Sequence, residues 1–150
     1  MSLDVTLYDG KVNSAIEQIN NVMNWIRNLP VPTDNATAKL MYLDDAVKLL
    51  EAVNPQELYS SNITHNLNKM AMAAGIYEHL WRPDEINITR ARDLIMPLMD
   101  GLNMLESYPE RFKAFDAPNG WGLYEHFVPF VRDYLQACIK WPDAVVEVSR

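Results

Sequence analysis

Three short stretches concentrate the side chains that could hold a ligand. The densest polar one is Asn62-Ile-Thr-His65-Asn66. A helix capped by Asn62 would carry Asn62, His65 and Asn66 three and four positions apart, on one face. Amide and imidazole groups donate and accept hydrogen bonds near neutral pH without fixed charge. That chemistry suits the edge of a sugar, a base or a phosphate. The second stretch is Tyr77-Glu-His79-Leu-Trp81-Arg82-Pro83. Here Trp81 and Arg82 could stack on a planar ligand, and the guanidinium could clamp a phosphate. The third is Asn119-Gly-Trp121-Gly-Leu-Tyr124-Glu-His126. Two glycines around one tryptophan permit unusual backbone angles and close approach of a ligand. Each stretch also has a structural explanation. The first can be a capped helix with a wet face. The second can be core anchors, with Arg82 paired to Asp84 or Glu85. The third can be a tight turn that seats Trp121 against the sheet.

Familiar catalytic and phosphate-binding patterns are absent. Neither GxxxxGK[ST] nor GxGxxG occurs, and neither GxSxG nor HExxH is present. The three histidines fall one to each stretch, so a histidine metal site would need all three to converge; the expectation is no metal and no cofactor. Cys138 stands on the apolar stripe of a helix, where a buried and inert thiol is usual. As the sole cysteine it can form no disulfide within the chain.

The 150 residues fit one domain of ordinary size, and 49% hydrophobic with 22% charged residues supports a packed core. The net charge is −7 and the pI about 4.8. Such a surface argues against binding bulk nucleic acid, which needs a basic face. No run approaches the roughly 18 apolar residues of a membrane span. The start, Met1-Ser2-Leu3-Asp4-Val5, has no charged n-region followed by an apolar stretch, so the expected location is the cytoplasm.

The elements that must position these residues follow from periodicity. Leu3, Val5 and Leu7 alternate with Asp4 and Thr6, which predicts a strand over Ser2–Tyr8 ended by Asp9-Gly10. Asn13 or Ser14 then caps a helix with the stripe Ile16, Ile19, Met23 and Ile26, stopped by Pro30-Val-Pro32. Thr33-Asp34 caps a second helix, whose stripe is Leu40, Leu43, Val47, Leu50 and Val53, closed by Asn54-Pro55. Leu58–Ser61 reads as a short strand. A third helix follows and ends at Gly75; Ile76–Trp81 makes one or two turns. Asn87 or Thr89 caps a longer helix with a kink or break at Pro97. Pro109–Phe115 is a short helix. The last helix carries Tyr124, Phe127, Val131, Leu135 and Cys138, with Pro129 moving its start later. Ala144–Val148 is a final strand. The expected fold is α+β and predominantly helical, with about five to six helices packed on a small sheet formed by the N-terminal and C-terminal strands. It is a single domain over 1–150, with a helical-hairpin insertion at about 13–53.

Ser2-Leu-Asp-Val5, Asn62-Ile-Thr-His-Asn-Leu67, Ala74-Gly-Ile-Tyr-Glu-His-Leu-Trp-Arg-Pro83, Asn119-Gly-Trp-Gly122 with Tyr124-Glu-His-Phe-Val-Pro-Phe130, and the end Val146–Arg150 together resemble a group of short uncharacterised bacteriophage and bacterial proteins. The resemblance covers the first residues and about Leu58–Arg150, and the hairpin departs from it. It implies no activity. It does imply a host-directed accessory role, of anti-defence type, in the host cytoplasm. The expected function is non-catalytic: binding a small polar aromatic ligand such as a nucleotide signal. The expected ligand-binding residues are Asn62, His65, Asn66, Tyr77, His79, Trp81, Arg82, Asn119, Trp121, Tyr124 and His126. One alternative is a protein–protein inhibitor that meets a basic host protein through its acidic surface. Another is a histidine- or metal-dependent hydrolase around His65, His79 and His126.

Overall fold

Leu3, Val5 and Leu7 are wholly buried in strand β1 (Ser2–Tyr8), which forms where the alternation places it. In this computed structural model, which describes residues 2–28, 36–52 and 56–150, β1 is the central strand of three. On one side it pairs antiparallel with β2 (Glu57–Thr64), setting Leu3 opposite Ile63 and Leu7 opposite Tyr59. On the other it pairs antiparallel with β3 (Val145–Ser149), setting Val5 opposite Val148. The fold is α+β and mostly helical, and the small sheet joins the N-terminal and C-terminal strands as expected.

β2 runs three residues further than the predicted Leu58–Ser61, through Asn62, Ile63 and Thr64. Asn62 therefore caps no helix. Ile63 is drawn into the ladder because its side chain is buried beside Leu3, and that packing outweighs the local capping preference of Asn62. A short 3-10 helix (His65–Leu67) then leads into α3 (Asn68–Ala73). Gly75, at φ 73°, ends α3 as expected. The Ile76 N–H reaches the Ala71 carbonyl (3.0 Å) and the Gly75 N–H that of Met72 (3.1 Å), a Schellman pair that needs the left-handed residue.

α4 (Tyr77–Trp81) and a second 3-10 helix (Pro83–Ile86) follow. Asn87, left-handed at φ 60°, terminates the latter and does not start a helix. α5 (Arg92–Ser107) is continuous through Pro97, and α7 (Tyr124–Lys140) begins before Pro129 and runs through it. In both helices the proline stands at the sixth position, so the bond it lacks would have gone to the second residue. The loss falls in the first turn and leaves the rest of each ladder intact. α6 (Pro109–Lys113) lies between them, with proline at its first position. With α1 and α2 below, the described residues hold seven α-helices, among them the short Tyr77–Trp81 segment that the sequence already sets apart from the helix before it.

The core lies between the inner face of the sheet and the pair α5 and α7. Leu94, Leu98 and Leu105 meet Phe127, Val131, Tyr134 and Cys138, with Met70, Leu80, Trp81 and Phe112 beside them. Arg150 fastens the end of β3 to the second 3-10 helix through both carboxylate oxygens of Asp84, at 2.9 and 2.8 Å.

The chain divides into two compact units, β1 with Glu57–Arg150, and Asp9–Gln56. The second holds α1 (Gly10–Asn28) and α2 (Ala36–Ala52). α1 starts earlier than the predicted Asn13 or Ser14, because the Asp9 carboxylate accepts the Lys11 N–H at 2.8 Å and acts as the cap. Met23 is buried and Ile16, Ile19, Ile26, Leu43 and Val47 are half-buried, but Leu40 is exposed despite its place on the stripe. Val22, Trp25, Met41 and Tyr42 are exposed too. Asp44 and Lys48 pair at 2.6 Å, the spacing the sequence offers. The stop at Pro30–Pro32, the cap at Thr33-Asp34 and the close at Asn54-Pro55 lie outside the described residues. Among those described, no helix is long and apolar enough to cross a membrane.

One part of the core resists ionisation. Tyr59 stacks on Tyr134 with ring centroids 5.7 Å apart. Burial pushes the Tyr134 phenol well above its ordinary value and that of Tyr59 upward, and it pushes the Cys138 thiol up to about 12. Each acid thus holds its proton more tightly in the folded chain than in the unfolded one. Their contribution to stability is complete below about pH 9, where the unfolded thiol begins to ionise, and is lost as pH rises toward 12. The midpoint of urea unfolding, followed from pH 8 to 11.5, should fall across this window. Cys138→Ala should shrink the fall; an unchanged pH dependence would show that the thiol does not contribute.

Candidate functional site

The outer face of the sheet begins the site. Ser2 stands opposite Thr64 and Asp4 opposite Asn62, on the face away from Leu3 and Ile63. The Asn62 amide nitrogen donates to the Asp4 carboxylate. Where β2 ends, the His65 Nε2 reaches the Ser2 carbonyl at 2.7 Å. A carbonyl only accepts, so Nε2 carries the proton. The Thr64 side chain caps the 3-10 helix, accepting the Asn66 N–H at 3.4 Å.

The loop before α7 supplies the other wall. Its turn closes through Gly120 N–H to the Ala117 carbonyl (2.9 Å) and Ala117 N–H to the Gly122 carbonyl (3.1 Å). The Asn119 side chain accepts the Trp121 N–H at 3.0 Å. The Asn66 amide nitrogen donates to the Trp121 carbonyl at 2.7 Å, which ties the loop to the end of β2. Gly122, at φ 109°, lies so close that a β-carbon there would stand 2.8 Å from the Asn66 Cβ. At the loop's exit the Asp116 carboxylate accepts the Tyr124 N–H at 2.6 Å, and the Tyr124 hydroxyl donates to the Leu105 carbonyl at 3.0 Å.

The two walls enclose an open cleft of about 620 Å³ lined by Ser2, Asn62, Thr64, His65, Asn66, Asn119 and Trp121. Trp121 is 71% exposed, so its ring is free to take a ligand. A second depression of about 940 Å³ adjoins it, sharing His65, Asn66 and Asn119 and adding Asn68, Lys69, Phe115 and Asp116. The first and third stretches of the sequence therefore meet, although Asn62 and Asn66 arrive from a strand and a 3-10 helix rather than from one helical face.

The remaining expected residues stand elsewhere. Trp81 is 1% exposed, stacked on Tyr77 at 5.5 Å, and meets the His65 ring edge-on at 6.3 Å. It backs the cleft without lining it. Arg82 pairs with Glu85, and its Nε donates to the Tyr77 hydroxyl at 3.4 Å. Its guanidinium is thus committed within its own segment, as the structural explanation required. His79 is half-buried, and its Nδ1 has no partner among the described residues. Tyr124 fastens α7 to α5, and His126 is exposed beside Glu125 at 3.8 Å. Among the described residues no three His, Cys, Asp or Glu side chains stand close enough to hold a metal ion.

Ser2 is a site residue that the stretches did not include, and Thr64, though inside the first stretch, is not among the expected ligand-binding residues. Only the pairing of β1 with β2 brings Ser2 to His65, and no local pattern announces it. Comparisons of the chain with protein-family models, with curated proteins and with solved structures find no match.

The two loop glycines make a test of docking. Gly122→Ala meets both an unfavourable φ and Asn66, and should destabilise the fold by about 2–5 kcal/mol. Gly120→Ala has no atom within 4 Å to meet and should cost only the left-handed strain, about 1–2 kcal/mol. Urea unfolding measures both, and a smaller cost at Gly122 than at Gly120 would mean that the loop does not rest on Asn66.

Proposed function

We propose that the protein is a non-catalytic binding protein that holds a small polar ligand with a flat ring, of nucleoside or nucleotide kind, in the cleft between the end of β2 and the Trp121 loop. The observation that carries this reading is the pairing of an exposed tryptophan with four neutral polar side chains, Asn62, His65, Asn66 and Asn119, around one concave space. Trp121 offers a stacking face, and the amides and imidazole offer edge hydrogen bonds. Both walls are held by bonds internal to the protein, which lowers the ordering cost of binding. An accessory role directed at a host, the setting implied by the resemblance of the signature stretches, belongs to the same proposal.

Stacking of a base on an aromatic ring contributes about 1–3 kcal/mol. Trp121→Ala should therefore weaken binding by about 5- to 150-fold in titration calorimetry against a panel of nucleosides and nucleotides. Unchanged affinity would remove Trp121 from the site.

A second reading draws on the Asp9–Gln56 unit. Exposed Val22, Trp25, Met41 and Tyr42 form apolar surface of the kind that meets another protein. If the unit contacts a host protein, Trp25→Ser with Met41→Ser should lose a partner that wild type retains in a pull-down, while Trp121→Ala should keep it. Retention of the partner by the Trp25 and Met41 variant would sink this second reading.

A further inference from the structure

Resting on the binding role proposed above, we infer that the cleft selects an uncharged ligand: a ring compound rich in hydroxyl or amino hydrogens, a nucleoside or a glycan, with no phosphate in the cleft. The orientation of the lining amides carries this. A carboxylate accepts and does not donate, so the Asn62 NH₂ faces Asp4 and leaves Asn62 Oδ1 as a free acceptor. The Trp121 carbonyl likewise takes the Asn66 NH₂ and leaves Asn66 Oδ1. His65 spends its Nε2 proton on the Ser2 carbonyl, which leaves Nδ1 of a singly protonated ring as a third acceptor. Asn119 is turned the other way. Its oxygen takes the Trp121 N–H, and its NH₂ stays available. The Ser2 and Thr64 hydroxyls serve either role.

This lining reads a mixture of donors and acceptors, with three acceptors that need a hydrogen from the ligand. Ring hydroxyls and exocyclic amines supply such hydrogens; a phosphate at neutral pH brings acceptor oxygens and about −1.5 to −2 charges. No Lys or Arg among the described residues lines the cleft. Lys69 lines only the adjoining depression, where Asp116 accompanies it. The Asp4 carboxylate stands behind Asn62, and the chain carries −7 overall. A phosphate drawn into the cleft would lose its hydration without gaining a cation.

Titration calorimetry of the full chain at low salt tests this with three sets of probes. These are adenosine, guanosine, cytidine and uridine; their 5′-monophosphates; and methyl glucoside with N-acetylglucosamine. We expect at least one neutral probe to bind tenfold or more tightly than any monophosphate, with binding reduced by Trp121→Ala; the preferred neutral probe then assigns nucleoside or glycan. Ser2→Lys, which places a cation at the rim without touching the loop, should narrow or reverse that preference. Tighter binding of monophosphates than nucleosides by wild type would overturn the inference and leave the binding role standing. No binding by any probe, or binding indifferent to Trp121→Ala, would overturn both.

Discussion

The position of β1 at the centre of the sheet is the constraint on which the rest depends. Leu3, Val5 and Leu7 all face the core, and both edges of the strand must be hydrogen-bonded. β2 and β3 meet that need, and the register with β2 does more than fill an edge. Ile63 beside Leu3 directs Asn62 and Thr64 to the opposite face, next to Asp4 and Ser2. A slip of one residue would put Asn62 in the core and Ile63 in the cleft. Apolar packing on one face of the sheet thus decides which polar groups stand together on the other.

The cleft is built by mutual restraint of two segments far apart in the chain. Asn66 holds the Trp121 carbonyl while Gly122 permits the contact, so the loop and the end of β2 define each other. Behind them the His65 ring meets buried Trp81, which itself stacks on Tyr77. The aromatic groups of the second stretch therefore serve the site through the core: they hold the imidazole that touches the cleft.

Periodicity made the sheet-forming strands and most of the apolar stripes legible. The turn at Gly75 and the inert setting of Cys138 were legible too, because each follows from one residue type with one physical consequence. Asn62–Asn66 was found for its chemistry but placed on the wrong backbone. A cap and a strand end use the same polar residues, and the partner that decides between them, Leu3 beside Ile63, belongs to a strand remote in the sequence. Tyr77, Trp81, Arg82 and Tyr124 stand outside the lining of this cleft for a related reason. Rings with polar tips build ligand sites and buried anchors alike, and only the packing distinguishes the two. The early start of α1 turned on a single cap, Asp9, which also reads as a turn residue.

The central place of β1 has a consequence for how the chain comes to be folded. Ser2–Tyr8 is made well before the strand that covers its second edge, Val145–Ser149. During synthesis β1 is a short alternating apolar segment with an open edge, the kind of segment that pairs with the wrong neighbour. The polar residues Asp4 and Thr6 interrupt its apolar run throughout that interval and guard against self-association. Asp4, whose carboxylate later orients Asn62 in the cleft, has thus served the nascent chain before the cleft exists.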